Sequence, residues 1–265
     1  MSESVVDRVE FGISDGVARI ELARPDVGNR LDESMARALR LSAERLRSAA
    51  AAGDVRVAVI AARGKVFSVG GDLGEFAAAE DRAATIQVVA DELHAALRIL
   101  EEVPVPVVSV VQGTAAGGGL GFALIGDIVL VAAEAKLVMA YTASGLTPDC
   151  GATWVIPRRV SRARAMDLAL LNRVLTGEEA AAWGLASRAV PAADLPAEAD
   201  KVVAILRDGP AGAFAGAKKL INESVTRSRA EQMDVESRTI GRIVVTPDAV
   251  EGVDAFLAKR PPVYR

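Results

Sequence analysis

The 265-residue sequence holds a single histidine, His94, and a single cysteine, Cys150. That scarcity excludes a zinc site built from several cysteines or histidines, and any internal disulfide, because each needs more ligands or partners than the chain provides. A thiol–imidazole nucleophile survives only as the pair Cys150 and His94. There is no surplus of basic residues either: 31 Lys and Arg stand against 35 Asp and Glu, for a formal charge of −4. Nothing in that balance points to nucleic acid or to an anionic membrane surface. An anionic ligand must therefore be met locally, by helix ends or by a few cations. No apolar run approaches the roughly 18 residues a membrane span requires. The amino-terminal MSESVVDRVE lacks a basic stretch leading into an apolar one, so no secretory signal is expected. A cytoplasmic protein is the expectation, and the lone cysteine fits a reducing compartment. Aromatics make up 4% of a chain that is 51% hydrophobic, so the apolar content is aliphatic and alanine-rich, as in a helix-rich globular protein.

The pattern along the chain predicts an opening hairpin, with strands over 5–13 and 17–22 joined at Ser14, Asp15 and Gly16. Asp32 is placed to cap a helix running to about Ala52, which Gly53 stops. A strand over 57–62 follows, then a glycine-rich segment, Arg63 to Phe76, which reads as a structured loop. An amphipathic helix over 82–102 places Ile86, Ala90, Leu93, Leu97 and Leu100 on one face. A buried strand over 107–111, a glycine-rich turn over 113–119, a short helix over 120–125 and strands over 128–132 and 136–139 come next. From Gly151 onward the pattern is nearly all helical. These features predict an α/β core over residues 1–196 and a helical carboxy-terminal region over 197–265.

Two glycine-rich segments carry the chemical signal. In GTAAGGGLG, Gly113 to Gly121, a turn leads from a strand into a helix, and the unpaired N–H groups at that helix start favour negative charge. The glycine spacing fits neither a dinucleotide fingerprint nor a P-loop. A purely structural use, letting a helix pack closely on the sheet, competes at this point. The second segment, Ser68-Val69-Gly70-Gly71-Asp72-Leu73, offers further free N–H groups after another strand. Two such loops can converge on one oxygen, as an enolate or tetrahedral oxyanion requires. Each donor of that kind is worth about 2.7–4 kcal/mol of transition-state stabilisation.

The segments ARIELARPDVGNRLDESM, RGKVFSVGGDL, VQGTAAGGGLGFALIGDIVLVAAEAKL, GLTPDCGATWVIPRRV, LTGEEAAAWGLASRAV and EGVDAFLAKRPP together resemble the enoyl-CoA hydratase/isomerase (crotonase) superfamily over nearly the whole chain. The resemblance implies a spiral of repeated ββα units with a carboxy-terminal helical trimerisation region. It also implies a homotrimer or dimer of trimers that binds coenzyme A thioesters and stabilises a thioester enolate. Coenzyme A would enter as part of the substrate, with no separate cofactor and no metal. By this resemblance the oxyanion donors are the N–H groups of Gly71 and Gly118, flanked by Asp72 and Leu73. Phe256 and Lys259 match a terminal segment that in relatives reaches the coenzyme of a neighbouring subunit. Arg24 and Lys65, near the two loops, are candidates to pair with coenzyme phosphates, with ordinary surface charge as the alternative.

Superfamily membership leaves the reaction to the acid/base groups beside the enolate. Hydratases of this type use two glutamates, and the matching positions here are Gly121 and Tyr141. One carboxylate stands out: Asp149 in TPDCGATW, where related isomerases and the 4-chlorobenzoyl-CoA dehalogenase carry a catalytic aspartate. Its competing use is to cap the following helix. A single base suffices to move a proton between two carbons. The stretch around Asp149 particularly resembles the 1,2-epoxyphenylacetyl-CoA isomerase branch and its enoyl-CoA isomerase relatives.

His94 lies on the charged stripe Gln87, Asp91, His94, Arg98, Glu101, and periodicity alone makes it a solvated surface residue. Yet the dehalogenase has a histidine base at the matching place, 19 residues before the first glycine of the oxyanion turn, which is also the distance from His94 to Gly113. Three readings follow. The leading one is an isomerase using Asp149. The second is a dehalogenase-like or thioester-hydrolysing enzyme using Asp149 and His94, and the third a non-catalytic acyl-CoA binder. Cys150 reads as an inert thiol, and Trp154 and Trp183 as packing residues.

Overall fold

The computed structural model describes residues 8–264. The chain opens on an antiparallel hairpin, β1 (Val9–Ser14) and β2 (Val17–Leu22), turned at Asp15 and Gly16, which both have positive φ. Among the described residues the expected first strand spans Val9–Ser14, and its residues 5–7 lie outside the described ones. Helix α1 (Glu33–Ala52) is capped by Asp32, whose carboxylate accepts from the Met35 N–H at 2.7 Å, and stopped at Gly53 in the left-handed region. Those are the expected ends, and they follow from capping chemistry.

Three successive turns of the chain then repeat one device. Strands β3 (Val57–Ala62), β5 (Val107–Val111) and β7 (Ile128–Ala132) join the larger sheet. Each is followed by a three-residue strand, β4 (Val66–Ser68), β6 (Thr114–Ala116) or β8 (Lys136–Val138), that crosses into a smaller sheet. Helices α2 (Leu73–Ala78) and α3 (Arg82–Glu102) follow the first such pair, and α4 (Gly118–Ala123) the second. The result is the ββα spiral. The pairs β2–β3, β3–β5 and β5–β7 are parallel, as are β4–β6 and β6–β8. The larger-sheet strands β3, β5 and β7 are buried almost throughout, as strands covered on both faces must be.

After α5 (Ala152–Arg159) and α6 (Arg162–Leu171) the expected, nearly all helical remainder contains two short strands. Strand β9 (Leu175–Thr176) closes the smaller sheet against β8, and β10 (Arg188–Val190) extends the larger one in parallel to β7. Helix α7 (Gly177–Trp183) lies between them. Both strands are too short to impose a period-two pattern on an alanine-rich sequence. Helix α8 (Leu195–Arg207) runs across the expected 196/197 division and buries Leu195, Ala199, Val202 and Leu206. The helical region that stands away from the sheets is thus α9 (Ala211–Glu223), α10 (Arg229–Ile243) and α11 (Pro247–Leu257), which leave Ile221, Ile240, Val245, Phe256 and Leu257 exposed. Lys218 pins α9 to the core. Its ammonium pairs with Asp127 at 2.9 Å and donates to the carbonyls of Leu100 and Val105. Among the described residues no helix is long and apolar enough to cross a membrane.

Candidate active site

The segment Arg63 to Phe76 is not the plain loop its glycines suggest. It contains β4, and then α2, which starts because the Asp72 carboxylate accepts from the N–H groups of Gly74 and Glu75. A buried polar network fixes the stretch between them. Asn29 is fully buried and donates from Nδ2 to the carbonyls of Arg63 and Val66, while its Oδ1 accepts from the Arg24 N–H at 2.8 Å. The Ser68 hydroxyl donates to the Asn29 carbonyl and accepts from the Gly70 N–H. Leu31 then pairs with the chain at Gly71: its N–H donates to the Gly70 carbonyl, and its carbonyl accepts from the Asp72 N–H. Because donors alternate sides along an extended chain, the Gly71 N–H points away from Leu31. Asn29 and Ser68 are positioning residues that the sequence reading missed. The signal available was a short polar residue after glycine in the first matched segment.

The second loop meets the first backbone to backbone. Gly70 has φ +87°, and a Cβ there would stand 2.6 Å from the Ala116 carbonyl oxygen, so only glycine allows the approach. Helix α4 begins at Gly118, not at Leu120 as its composition suggests, and Gly117 precedes it at positive φ. As first residue of a helix, Gly118 has an N–H with no partner within that helix. The Leu31 side chain, the Cys150 thiol and the Tyr141 hydroxyl all stand within 4 Å of where a Cβ on Gly118 would lie. The two loops are therefore brought together, with the candidate acid/base residues beside the second.

Tyr141 donates from its hydroxyl to Asp149 Oδ1 at 2.5 Å. Burial first, and then the electrostatic influence of the neighbouring Cys150 and Asp149, push the phenol far above the usual tyrosine range, so it stays protonated and serves as a donor. Asp149 does not cap the following helix: the residue before α5 is Gly151, with no side-chain cap. That competing use is removed. His94 is half-buried, in contrast to its exposed stripe neighbours Asp91 and Arg98, because the loop carrying Asp149 folds over it. Its Nε2 accepts from the Cys150 backbone N–H at 3.0 Å. The solvated histidine predicted by periodicity is thus corrected. An imidazole nitrogen, an Asp149 carboxylate oxygen and Cys150 Sγ lie within 4.8 Å of one another. Of their lone pairs, Nε2 is committed to the Cys150 N–H and Oδ1 to Tyr141. A cavity of about 680 Å³ opens beside His94 and Cys150, lined also by Leu97, Gly121, Leu124, Trp154 and Phe214 among others.

The family model described as Enoyl-CoA hydratase/isomerase matches residues 12–265. The chain belongs to the enoyl-CoA hydratase/isomerase family. It is 38% identical to a Rhodobacter capsulatus protein named "Probable enoyl-CoA hydratase", covering 97% of each chain. It is 36% identical to the 1,2-epoxyphenylacetyl-CoA isomerase of Escherichia coli, over 100% of this chain and 99% of that one. The crystal structure of an enoyl-CoA hydratase from Polaromonas superposes with a TM-score of 0.90 at 30% identity, covering 97% and 99% of the two chains.

Within this enoyl-CoA hydratase/isomerase framework the remaining expected residues fall in different places. Arg24 is held by Asp32, which also pairs with Arg8, so its guanidinium serves the start of α1. Asp72 is spent on capping α2 and on Arg30. Lys65 and Leu73 are exposed. Phe256, 82% exposed, and Lys259 lie at the end of α11 and do not line the cavity beside His94. Trp154 is not a packing residue: it is 43% exposed, lines the cavity and lies under the Arg158 guanidinium. Trp183 is half-buried, with Arg164 and Arg173 on its ring. Cys150 is buried, and burial followed by the Asp149 charge pushes its thiol up. The native protein should therefore resist alkylation by iodoacetamide at neutral pH and react once unfolded, as intact-mass measurement reads directly.

Proposed function

We propose that the protein is an acyl-CoA double-bond isomerase in which Asp149 takes a proton from one carbon of the acyl chain and returns it to another. The C–H electron pair moves into a thioester enolate, the N–H groups of Gly71 and Gly118 hold its oxygen, and reprotonation at the second carbon restores a neutral thioester. The observation that carries this reading is the Tyr141–Asp149 pair: one carboxylate, oriented by a phenol that stays protonated, beside the start of α4. No second carboxylate stands at Gly121 or Tyr141 to direct a water molecule. Relatives named as isomerases, from Escherichia coli and Streptococcus mutans, support it. The cavity next to Cys150, whose lining includes Leu97, Leu124, Val155 and Phe214, would give the acyl group room. In the assembled enzyme, read as a homotrimer or dimer of trimers, the exposed Phe256 and Lys259 reach the coenzyme of a neighbouring subunit.

The test is a panel of 3-enoyl-CoA thioesters of differing length, branching and aromaticity, followed by absorbance of the conjugated product and by mass. Conversion without the mass of an added water molecule is expected. A hydrated thioester as the main product overturns the reading, and binding without turnover across the panel leaves an acyl-CoA binder. The closeness of His94 to Asp149 favours one second reading. In it Asp149 attacks the ring carbon of a halobenzoyl-CoA, halide leaves, and water directed by His94 hydrolyses the aryl ester. An ester trapped on Asp149 during turnover would establish that chemistry, and none is expected.

A further inference from the structure

We infer that His94 is a positioning residue that works as a neutral hydrogen-bond acceptor: its Nε2 lone pair holds the Cys150 N–H and thereby fixes the adjacent Asp149 carboxylate. The inference rests on the isomerase reading for its kinetic consequence, and on the hydrogen bond alone for its structural one.

An imidazole nitrogen that accepts an N–H cannot carry a proton. The 3.0 Å bond from the Cys150 backbone N–H to Nε2 therefore fixes one protonation state, with the ring neutral and the proton on Nδ1. The same bond takes up the lone pair that a base acting through Nε2 would need. Its donor belongs to an unusual piece of chain. Cys150 has φ +51° without being glycine, and Gly151 follows at φ +70°. A β-substituted residue holds that conformation only where its surroundings fix it. On the side-chain side it is fixed by close packing of Cys150 on Gly118 and Gly121. On the backbone side it is fixed by His94. Asp149 immediately precedes this turn and is tied at its other end by Tyr141. The carboxylate thus hangs between two hydrogen bonds, one to its own oxygen and one to the next peptide group. Helix α3 contributes to the site through the second.

The lone histidine makes the test unambiguous, because selective ¹⁵N labelling of histidine gives the signals of one ring. At pH 8 the wild-type protein is expected to show a protonated Nδ1 and an unprotonated Nε2. An Nε2–H tautomer, or an imidazolium, overturns the inference whatever reaction the enzyme runs. Kinetics give the second arm. His94→Gln keeps an amide oxygen able to accept the Cys150 N–H, and is expected to retain kcat within about threefold. His94→Phe keeps the bulk without an acceptor, and is expected to lose about tenfold to a hundredfold in kcat with KM within twofold, the cost of a misplaced base. Equal, deep losses in both variants, each folded by circular dichroism, assign proton transfer to the imidazole and overturn positioning. Full turnover in His94→Phe also overturns positioning, and excludes proton transfer by the imidazole as well. If the wild type isomerises no thioester, the isomerase reading fails while the tautomer result still decides the role of His94.

Discussion

Asp149→Asn is expected to lower isomerase kcat by about 10²–10⁴-fold, the range for loss of a positioned general base. Thioester affinity and melting temperature should stay close to wild type. The separation follows from what the carboxylate does in the folded chain. Its Oδ1 accepts the Tyr141 hydroxyl, and an asparagine carbonyl oxygen accepts the same proton in the same place. The variant therefore keeps the contact and the loop, and loses only the ability to take a proton. Tyr141 remains a donor, because burial holds its phenol protonated. Binding of a non-reactive thioester, measured by calorimetry, should change by no more than a few-fold. Loss of binding together with turnover would mean that Asp149 holds the fold or the ligand. Full turnover in the variant would remove Asp149 from the chemistry altogether.

The elements that carry their own signal were legible in the sequence. Asp32 and Gly53 bracket α1 because capping is local chemistry, and the strands over 57–62, 107–111 and 128–132 are apolar runs long enough to be seen. The strand expected over 136–139 is present as β8, whereas β4 and β6, three residues each inside glycine-rich segments, are too short to show a period. The crossing strands exist because β4 pairs with β6 and β6 with β8, each on a neighbouring turn of the spiral, a contact no window along the chain contains. Helix α2 was hidden by its glycines, although Asp72 sits where a cap belongs. His94 shows the same limit at the site. Periodicity correctly separated it from the face of α3 that buries Leu93, Leu97 and Leu100. It could not register that a loop 56 residues further along closes over His94 and offers it a backbone N–H. Asp149 was found by resemblance to a family. The phenol that holds it stands eight positions earlier, and its contact was invisible until the chain was folded.

Gly121→Glu, which restores a glutamate where two-glutamate hydratases have one, is expected to destabilise the protein by about 3 kcal/mol or more and to produce no hydratase. A Cβ on Gly121 would stand 2.5 Å from the Cys150 Cβ and 2.8 Å from the Cys150 carbonyl oxygen. Neither atom is the free end of a flexible side chain: Cys150 is locked at positive φ, with its N–H on His94. Overpacking of this kind costs about 1–3 kcal/mol by itself. A carboxylate forced into the buried surface of α4, where Leu120 and Phe122 are its neighbours, adds a desolvation cost on top. For a chain of this size the melting temperature should drop by roughly 6–12 °C. Isomerase activity should fall as well, because the clash displaces the turn that carries Asp149. The cause can be isolated by a double variant. Cys150→Gly removes the Cβ and the thiol and suits φ +51°, so Gly121→Glu combined with it should recover part of the lost stability, a non-additive result expected only of residues in contact. A Gly121→Glu protein that melts like wild type and hydrates an enoyl thioester would contradict this account. In this chain, then, the missing glutamate and the Cys150 turn are one packing feature. The residue that occupies the glutamate's space is the one through which His94 holds Asp149, so a second carboxylate cannot be added at Gly121 without disturbing the first.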